Sequence, residues 1–433
     1  MRSRMLVIAS LAALLSAAGC GTATVQRPAS GGPGTVTTAA PGASPAVASP
    51  ATGASTAQPA ATSTAVSSAA AQTTPACGAP ASATLGAGVL TATQFVSATQ
   101  GWTVGQDTIL ATTDGGTHWK TQLGGPLNLT SVDFINSQDG WAAGTARLLT
   151  TTDGGTVWTP LPEPCPVIRS VHFISPTVGY AVAGGSNWGS AADPEIPAAG
   201  GQFLTTFDGG RTWHPRPAPP NVQTVCFSDS RHGWIGANGQ LYRTTDGGKQ
   251  WTILTSSAGS LGTGQGATMN VECAGQLSAW ALRAGPGAAM SQQPHVGYHA
   301  SQSGATALFA EQYFQTPGAS PTAQSPGSYA GPFSALGPSS AVFIDSCVAC
   351  GLGTVPWDLV TNSGATLTRE GDVGDITSAE AAAFISPEVG WVAGSELTYK
   401  APSTFRTQQR IVATTDGGRT WHLQYAGPWN RSS

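Results

Sequence analysis

The stretch TTDGGTHW, from Thr112 to Trp119, returns as TTDGGTVW from Thr151 to Trp158, and again from Thr206 to Trp213, Thr244 to Trp251 and Thr414 to Trp421. A motif recurring at spacings of tens of residues marks one supersecondary unit used over and over. Each octet reads Thr-x-Asp-x-Gly-x-x-Trp. Its carboxylate (Asp114, Asp153, Asp208, Asp246 or Asp416) is expected to accept hydrogen bonds from the backbone two residues on, and the glycines admit positive φ. The octet therefore reads as a tight turn between two strands. Its terminal tryptophan (Trp119, Trp158, Trp213, Trp251 or Trp421) is expected to pack down as a peg, so the motif shapes a turn and does not catalyse.

A second signal precedes every octet, a Phe followed seven positions on by an aromatic residue after a polar turn and Gly. It appears as Phe95 with Trp102, Phe134 with Trp141, Phe173 with Tyr180, Phe227 with Trp234 and Phe384 with Trp391. Each reads as strand, turn, strand. The same frame laid over the gaps finds two decayed units. Cys273 with Trp280 precedes Ser301 to Ala307, where Ser303 stands in the Asp place; Leu336 with Phe343 precedes Thr361 to Leu367, where Ser363 does. Repeats of mostly short strands at this spacing match the four-stranded blade of a propeller. The expected fold is all-β, a seven-bladed β-propeller of four-stranded blades.

Within a blade the order would be inner strand A, strand B, strand C, the octet turn and outer strand D. The A–B and C–D turns then share one face. The B–C and D–A loops share the other, and the long insertions collect there: 185–201, 284–296 and 346–356 within blades, 256–267 and 315–331 between them. Function tends to live on such loops.

The octets resemble the Asp-box, or bacterial neuraminidase repeat, of propellers that include sialidases, sortilin-type receptors and xyloglucan hydrolases, where the box lies far from the ligand. The pairing of the Phe-x6-Trp turn (Phe134 to Trp141, Phe384 to Trp391) with the box resembles more closely the photosynthesis system II assembly and stability factor-like propellers, over roughly residues 82–428. That resemblance implies a non-enzymatic factor that holds a partner polypeptide. The plant and cyanobacterial members use a basic patch that this weakly charged chain does not clearly show.

The N-terminus reads as an export signal. Met1 to Arg4 is basic, Met5 to Ala18 is apolar, and Ala17-Ala18-Gly19-Cys20 resembles a lipobox with Ala in place of the usual Leu. Residues 1–20 are thus expected to be a lipoprotein signal peptide with Cys20 the acylated residue, an ordinary signal peptide being the alternative. Residues 21–76 collapse to Ala, Thr, Ser, Pro and Gly and cannot bury a core, so they read as a disordered tether. Residues 77–433 are the propeller. The chain is expected at the cell membrane, on its extracytoplasmic side and held by lipid alone, as a monomer. With 9% charged residues and a formal net charge of −4 there is no basic footprint for nucleic acid. No cofactor or metal is expected, and the partner is expected to be a protein or a cell-envelope ligand.

Beyond Cys20 an even set of cysteines in an exported chain suggests disulfides. Cys226 lies eight residues before Trp234 and Cys273 seven before Trp280, so the two point to opposite faces of neighbouring inner strands, one forward and one back, and are expected to pair. Cys347 and Cys350 are expected to form a local disulfide, half a zinc site or a redox pair being the alternatives that lack further ligands or a βαβ setting, leaving Cys77 with Cys165.

An enzyme reading has to be weighed against the scaffold. Asp133, His172, Cys226 and Glu272 all fall eight residues before their blade's aromatic, with Gln94, Ala335 and Ala383 at the same place in the other blades. Convergence as acids, bases or ligands competes with polar satisfaction between blades, the favoured reading. His295 and His299, four apart, are read in a loop. Arg147, Arg169, Arg231, Arg243 and Arg283 are read largely as surface residues that build no sialidase triad, and no carboxylate pair stands out among Asp133, Asp139, Asp193, Glu195, Glu272, Asp345, Asp358 and Glu370. Trp188, Asp193 and Glu195 in the blade 3 insertion are the best exposed polar-aromatic cluster for a ligand face. The reading is a non-enzymatic protein-binding or assembly scaffold, with an exported sialidase-like glycoside hydrolase or a cell-envelope ligand sensor as the alternatives.

Overall fold

The computed structural model describes residues 65–66, 88–184, 201–254, 267–285, 293–301, 304–311, 329–346, 355–400 and 404–431. They form seven antiparallel sheets, each with its strands in chain order. Blade 1 runs Leu90–Phe95, Gly101–Gly105, Thr108–Thr112, Lys120–Gly124, and blade 2 runs Leu129–Phe134, Gly140–Gly144, Arg147–Thr151, Thr159–Pro160. Blade 3 is Ile168–Phe173, Gly179–Ala183, Gln202–Thr206, His214–Pro215, and blade 4 is Val222–Phe227, Gly233–Ala237, Gln240–Thr244, Trp251–Ile253. Blade 5 is Thr268–Cys273, Ala279–Ala284, His295–Ser301, Gly304–Glu311, and blade 6 is Tyr329–Gly337, Ser340–Ser346, Pro356–Thr361, Thr366–Asp372. Blade 7 is Ser378–Phe384, Gly390–Lys400, Thr404–Thr414, His422–Arg431. A two-residue strand, Ala65–Val66, adds to the outer edge of blade 4. Strand A of each blade touches strand A of the next all the way round, blade 7 meeting blade 1.

The octets make the C–D turns by a tighter device than a two-residue Asx turn. In blade 2 the buried Thr151 hydroxyl donates to Asp153 Oδ1 (2.8 Å) and accepts from the Gly155 amide (2.8 Å). Asp153 Oδ1 also accepts the Val157 amide (2.9 Å), four residues on and not two. The amide of the residue four beyond each Asp bonds the same way in all five octets. The threonine is thus a buried hub, and the Gly154 φ of 70° closes the turn where a Cβ would come within 2.9 Å of the Ser137 carbonyl oxygen.

Blades are cemented by aromatic pairs that run between units. Trp102 of blade 1 stacks flat on Phe134 of blade 2 (3.5 Å between ring centres), while Trp158 of the blade 2 octet meets the same ring edge-on (5.8 Å). Trp141 on Phe173 (3.6 Å) and Tyr180 on Phe227 (3.7 Å) repeat the stack. Such pairs add to the burial of large apolar area. In blades 1 to 4 and 7 the glycine before the strand-B aromatic is needed for this layer: a Cβ on Gly140 would stand 2.4 Å from the Phe134 ring. The indole N–H of each stacking Trp reaches on to the next blade's octet, Trp102 to the Gly154 oxygen (3.2 Å) and Trp141 to the Gly209 oxygen (3.0 Å). The two sequence signals are therefore coupled across blades. Blade 5 lacks the octet, and the buried Trp234 Nε1 facing it has no acceptor among the described residues.

Ring closure uses the same interface. Trp391 of blade 7 stacks on Phe95 of blade 1 (3.5 Å) and donates to the Gly115 oxygen (2.9 Å). Blades 1 and 7 each take their four strands from one end of the propeller, so among the described residues no strand is exchanged to lock the ring.

Blade 6 departs from the expected frame by one residue. Ala335, not Leu336, pairs opposite Ala341 at the place where Phe95 pairs with Gly101, and Val342, not Phe343, stands opposite Ser334. Gly337 pairs with Ser340 across a two-residue turn, and the aromatic used to set the frame, Phe343, faces Trp280 of blade 5. Its C–D turn is a 3₁₀ turn, Asn362–Gly364, with Ser363 at φ 54°.

Candidate functional site

On the loop face, a set of buried polar groups sits at the feet of the long insertions. In blade 3, Arg169 is 5% exposed and donates from Nε to the Gly184 carbonyl oxygen (3.2 Å), the last described residue before the insertion. Burial draws its guanidinium down to about 10. In blade 5 the Gln293 amide donates to the Gly285 oxygen (3.0 Å) while the Gly285 amide donates to the Pro294 oxygen (2.7 Å), so the two feet of that loop are tied together. The Gln293 Oε1 accepts the Ala330 amide of blade 6 (3.3 Å).

Beneath this clasp lies a fully buried pair. His295 Nε2 faces Asp345 Oδ2 (3.0 Å) across the blade 5–6 interface, and His295 Nδ1 faces the Gln293 carbonyl oxygen (2.8 Å). Both ring nitrogens meet oxygen partners, so the ring is held from both sides. Asp345 stands two residues before Cys347, and this pair fixes the root of the blade 6 insertion as Gln293 fixes that of blade 5.

The level of Asp133, His172, Cys226 and Glu272 is a ring of clasps between blades. Gln94 takes both backbone groups of Phe134 (2.6 and 3.2 Å), Asp133 Oδ2 accepts the Phe173 amide (2.6 Å), and His172 Nε2 donates to the Phe227 oxygen (2.7 Å). Cys226 and Cys273 are joined as a disulfide, Cα to Cα 5.7 Å. Glu272 Oε2 accepts the Ala335 amide (2.8 Å), and Ser334, not Ala335, continues the series by accepting the Phe384 amide (2.9 Å). Each bond ends on strand A of the following blade. Burial pushes the Asp133 carboxyl up, against the pull of His172 and the Phe173 amide, and pushes that of Glu272 to about 7.

Several expectations need correction. His295 and His299 lie on strand C of blade 5, not in a loop; His299 bonds Ser278 (2.9 Å) and the Pro338 oxygen (3.0 Å), so the two rings have separate partners. Arg169 and Arg283 are buried, at 5% and 2% exposure, and only Arg147 and Arg231 of that set are on the surface. Asp345 and Asp358, on adjacent strands of blade 6, are both 0% exposed. Cys165 is disulfide-bonded and buried. Cys20, Cys77, Cys347, Cys350, Trp188, Asp193 and Glu195 lie outside the described residues. The threonine hubs and the indole bonds between blades were not anticipated, although Thr at the head of every octet was the signal for the first.

With this geometry in hand, the chain can be set beside known proteins. Residues 85–164 match the family model of the photosynthesis system II assembly factor YCF48. That segment spans blades 1 and 2 and so contains the first complete stack, Trp102 on Phe134. YCF48 from Cyanidioschyzon merolae is similar in structure at 16% identity and TM-score 0.40, over 68% of this chain and 84% of that one. The GH74 enzyme of Niastella koreensis is similar at 11% identity and TM-score 0.50, over 81% and 67%, and the GH74 xyloglucanase of Xanthomonas campestris at 10% and 0.48, over 82% and 68%. At these identities the likeness is one of fold. No curated protein matches the chain in sequence.

Proposed function

We propose that this chain is a lipid-anchored, extracytoplasmic β-propeller that works as a protein-binding or assembly scaffold, presenting its loop face to the partner. The observation that carries this reading is where the buried polar side chains are spent. Arg169, Gln293 and the His295–Asp345 pair hold the feet of the insertions, and the clasp ring holds blade to blade. Rigid feet under long loops suit recognition, because a preorganised surface loses less entropy on binding. The match to the YCF48 family over residues 85–164 supports the same reading. Cys20 would carry the acyl chain, residues 21–76 would be the tether, and the octets would act as Asp-boxes that build the scaffold.

The second reading is a glycan-active enzyme, kept in view by the GH74 folds. The two separate on one experiment. Solubilised envelope is passed over the immobilised protein while the same preparation is assayed on a panel of xyloglucan, sialoside and other glycan substrates. Saturable retention of one protein without turnover supports the scaffold. Turnover that a loop-face carboxylate substitution abolishes supports the enzyme.

A further inference from the structure

Aromatic rings cross six of the seven boundaries between blades. Trp391 lies on Phe95, Trp102 on Phe134, Trp141 on Phe173 and Tyr180 on Phe227. Trp280 meets Phe343 edge-on between blades 5 and 6, and Trp357 lies against Phe384 between blades 6 and 7. Such pairs hold two surfaces together by more than the area they bury. Among the described residues no ring pair joins blade 4 to blade 5. Trp234 fills the strand-B place of blade 4, but Cys273, opposite Ala279, stands where Phe227 stands opposite Gly233. The Trp234 indole is fully buried and its Nε1 meets no acceptor among the described residues, blade 5 having Ser301 to Ala307 where the octet would be.

The Cys226–Cys273 bond takes the place of the ring pair. The other ties across this boundary are polar and unevenly placed. Towards the loop face the buried Gln223 grips blade 5 by two bonds, donating to the Ala267 oxygen (2.9 Å) and accepting the Met269 amide (2.9 Å). The Thr224 hydroxyl adds a bond to the Met269 oxygen (2.9 Å). Towards the octet face, beyond the disulfide, the Ser228 hydroxyl donates to the Gln276 oxygen (2.9 Å) in an exposed place, and further out Arg243 Nη1 reaches the Ser301 oxygen at 3.5 Å. The boundary is thus gripped at its loop-face end and fastened at its octet-face end chiefly by the disulfide. Cys226 is buried, while Cys273 is only half-buried and offers the sulfur that an incoming thiolate can attack.

We propose that the Cys226–Cys273 bond is a redox-sensitive lock on the blade 4–5 boundary. A thiolate of a dithiol reductant attacks Cys273 Sγ, the sulfur–sulfur bond breaks with Cys226 leaving as thiolate, and the reductant's second thiol resolves the mixed disulfide. The reductant departs oxidised to its own disulfide, and its two protons end on Cys226 and Cys273. With the bond open, the octet-face end of the boundary parts about the Gln223 grip and Trp234 becomes accessible. The six boundaries with ring pairs stay closed, so the opening is local and each blade keeps its fold. The lock is independent of the scaffold reading, since it rests on the blade interfaces alone.

The test is hydrogen exchange on the full chain in native buffer with and without dithiothreitol, read by mass spectrometry with fragmentation, while alkylation of Cys226 and Cys273 reports how far their bond has opened. The bond should open in the folded protein. Amides in 226–227, 233–236 and 271–274 should then exchange about a hundredfold faster. The Met269 amide, held by Gln223, and the inner strands Leu129–Phe134 and Ile168–Phe173 should exchange as before. Cys226→Ser with Cys273→Ser, kept oxidised so that the disulfide of Cys165 stays closed, should give the same map. A bond that opens only when the protein unfolds, exchange unchanged after reduction, or acceleration spread evenly over all blades, as an effect on chain entropy alone would give, would overturn the proposal. The reduction arm needs no variant to fold.

Discussion

Replacing Glu272 by Gln should make the protein more stable at pH 8 and leave it unchanged near pH 4.5. Glu272 lies at the blade 5–6 clasp, where its Oε2 accepts the Ala335 amide at 2.8 Å, and burial pushes its carboxyl from the ordinary 4.5 to about 7. A folded-state value above the unfolded one means that the folded protein favours the acid form. Stability is therefore full below 4.5, falls as pH rises from 4.5 to 7, and is level beyond. Linkage at about 1.36 kcal/mol per pH unit sets a ceiling of roughly 3 kcal/mol. The side chain keeps some contact with solvent, and screening brings this to about 1–2 kcal/mol. Gln keeps the acceptor for Ala335 and cannot ionise. Thermal unfolding of both proteins from pH 4.5 to 8 should show curves that coincide at the acid end and separate by a few degrees at the alkaline end, given roughly 2 °C per kcal/mol for a domain of this size. Parallel curves across the range, or a less stable variant at pH 8, would refute the assignment.

Other outcomes follow from the same geometry. Trp141→Ala removes the stack on Phe173 and the bond to Gly209, and should cost about 3–5 kcal/mol, whereas Trp141→Phe keeps the ring and should cost about 1 kcal/mol; denaturant midpoints measure both. The Thr420 hydroxyl and amide hold the Asp416 carboxyl down to about 2, so the octet's contribution is whole above 3.8 and lost as pH falls towards 2. Asp416→Ala should lower the melting temperature at pH 7, with the difference closing near pH 2. Opening the Cys226–Cys273 bond by Cys226→Ser with Cys273→Ser frees a loop of sequence separation 47 and should cost about 4 kcal/mol by chain entropy, read from chemical unfolding.

The fold was legible wherever a turn demanded special residues. Thr, Asp, Gly-Gly and Trp leave a fingerprint because hub, carboxylate, positive φ and peg each admit few side chains, and blades 1 to 4 and 7 could be read from it. Blades 5 and 6 lack the carboxylate, the blade 6 turn being a 3₁₀ turn, and in blade 6 Val342 fills the aromatic place, so the nearest aromatic, Phe343, set the frame one residue late. Ring closure was not legible because it uses no special strand; Trp391 on Phe95 is the ordinary interface between residues nearly three hundred positions apart. The clasp ring was seen as a level but not as a pattern, since Gln94, Asp133, His172, Glu272 and Ser334 share geometry and not residue type. His295 looked like a loop residue because Gly297 and the insertion before it mask a strand. Its partner Asp345, fifty positions away, carries no local sign of the pairing.

The central claim, that the propeller holds a protein partner, is tested most directly by cross-linking the native protein in its envelope and identifying what is joined to the loop face. The account predicts one polypeptide joined at stoichiometric yield to residues flanking the insertions, retained in Asp416→Ala protein that still folds and lost when the blade 5 insertion is cut back to Gly285 and Gln293. Cross-links that instead spread over the octet face and the outer strands without a preferred partner, with glycan turnover in the same preparation, would contradict it.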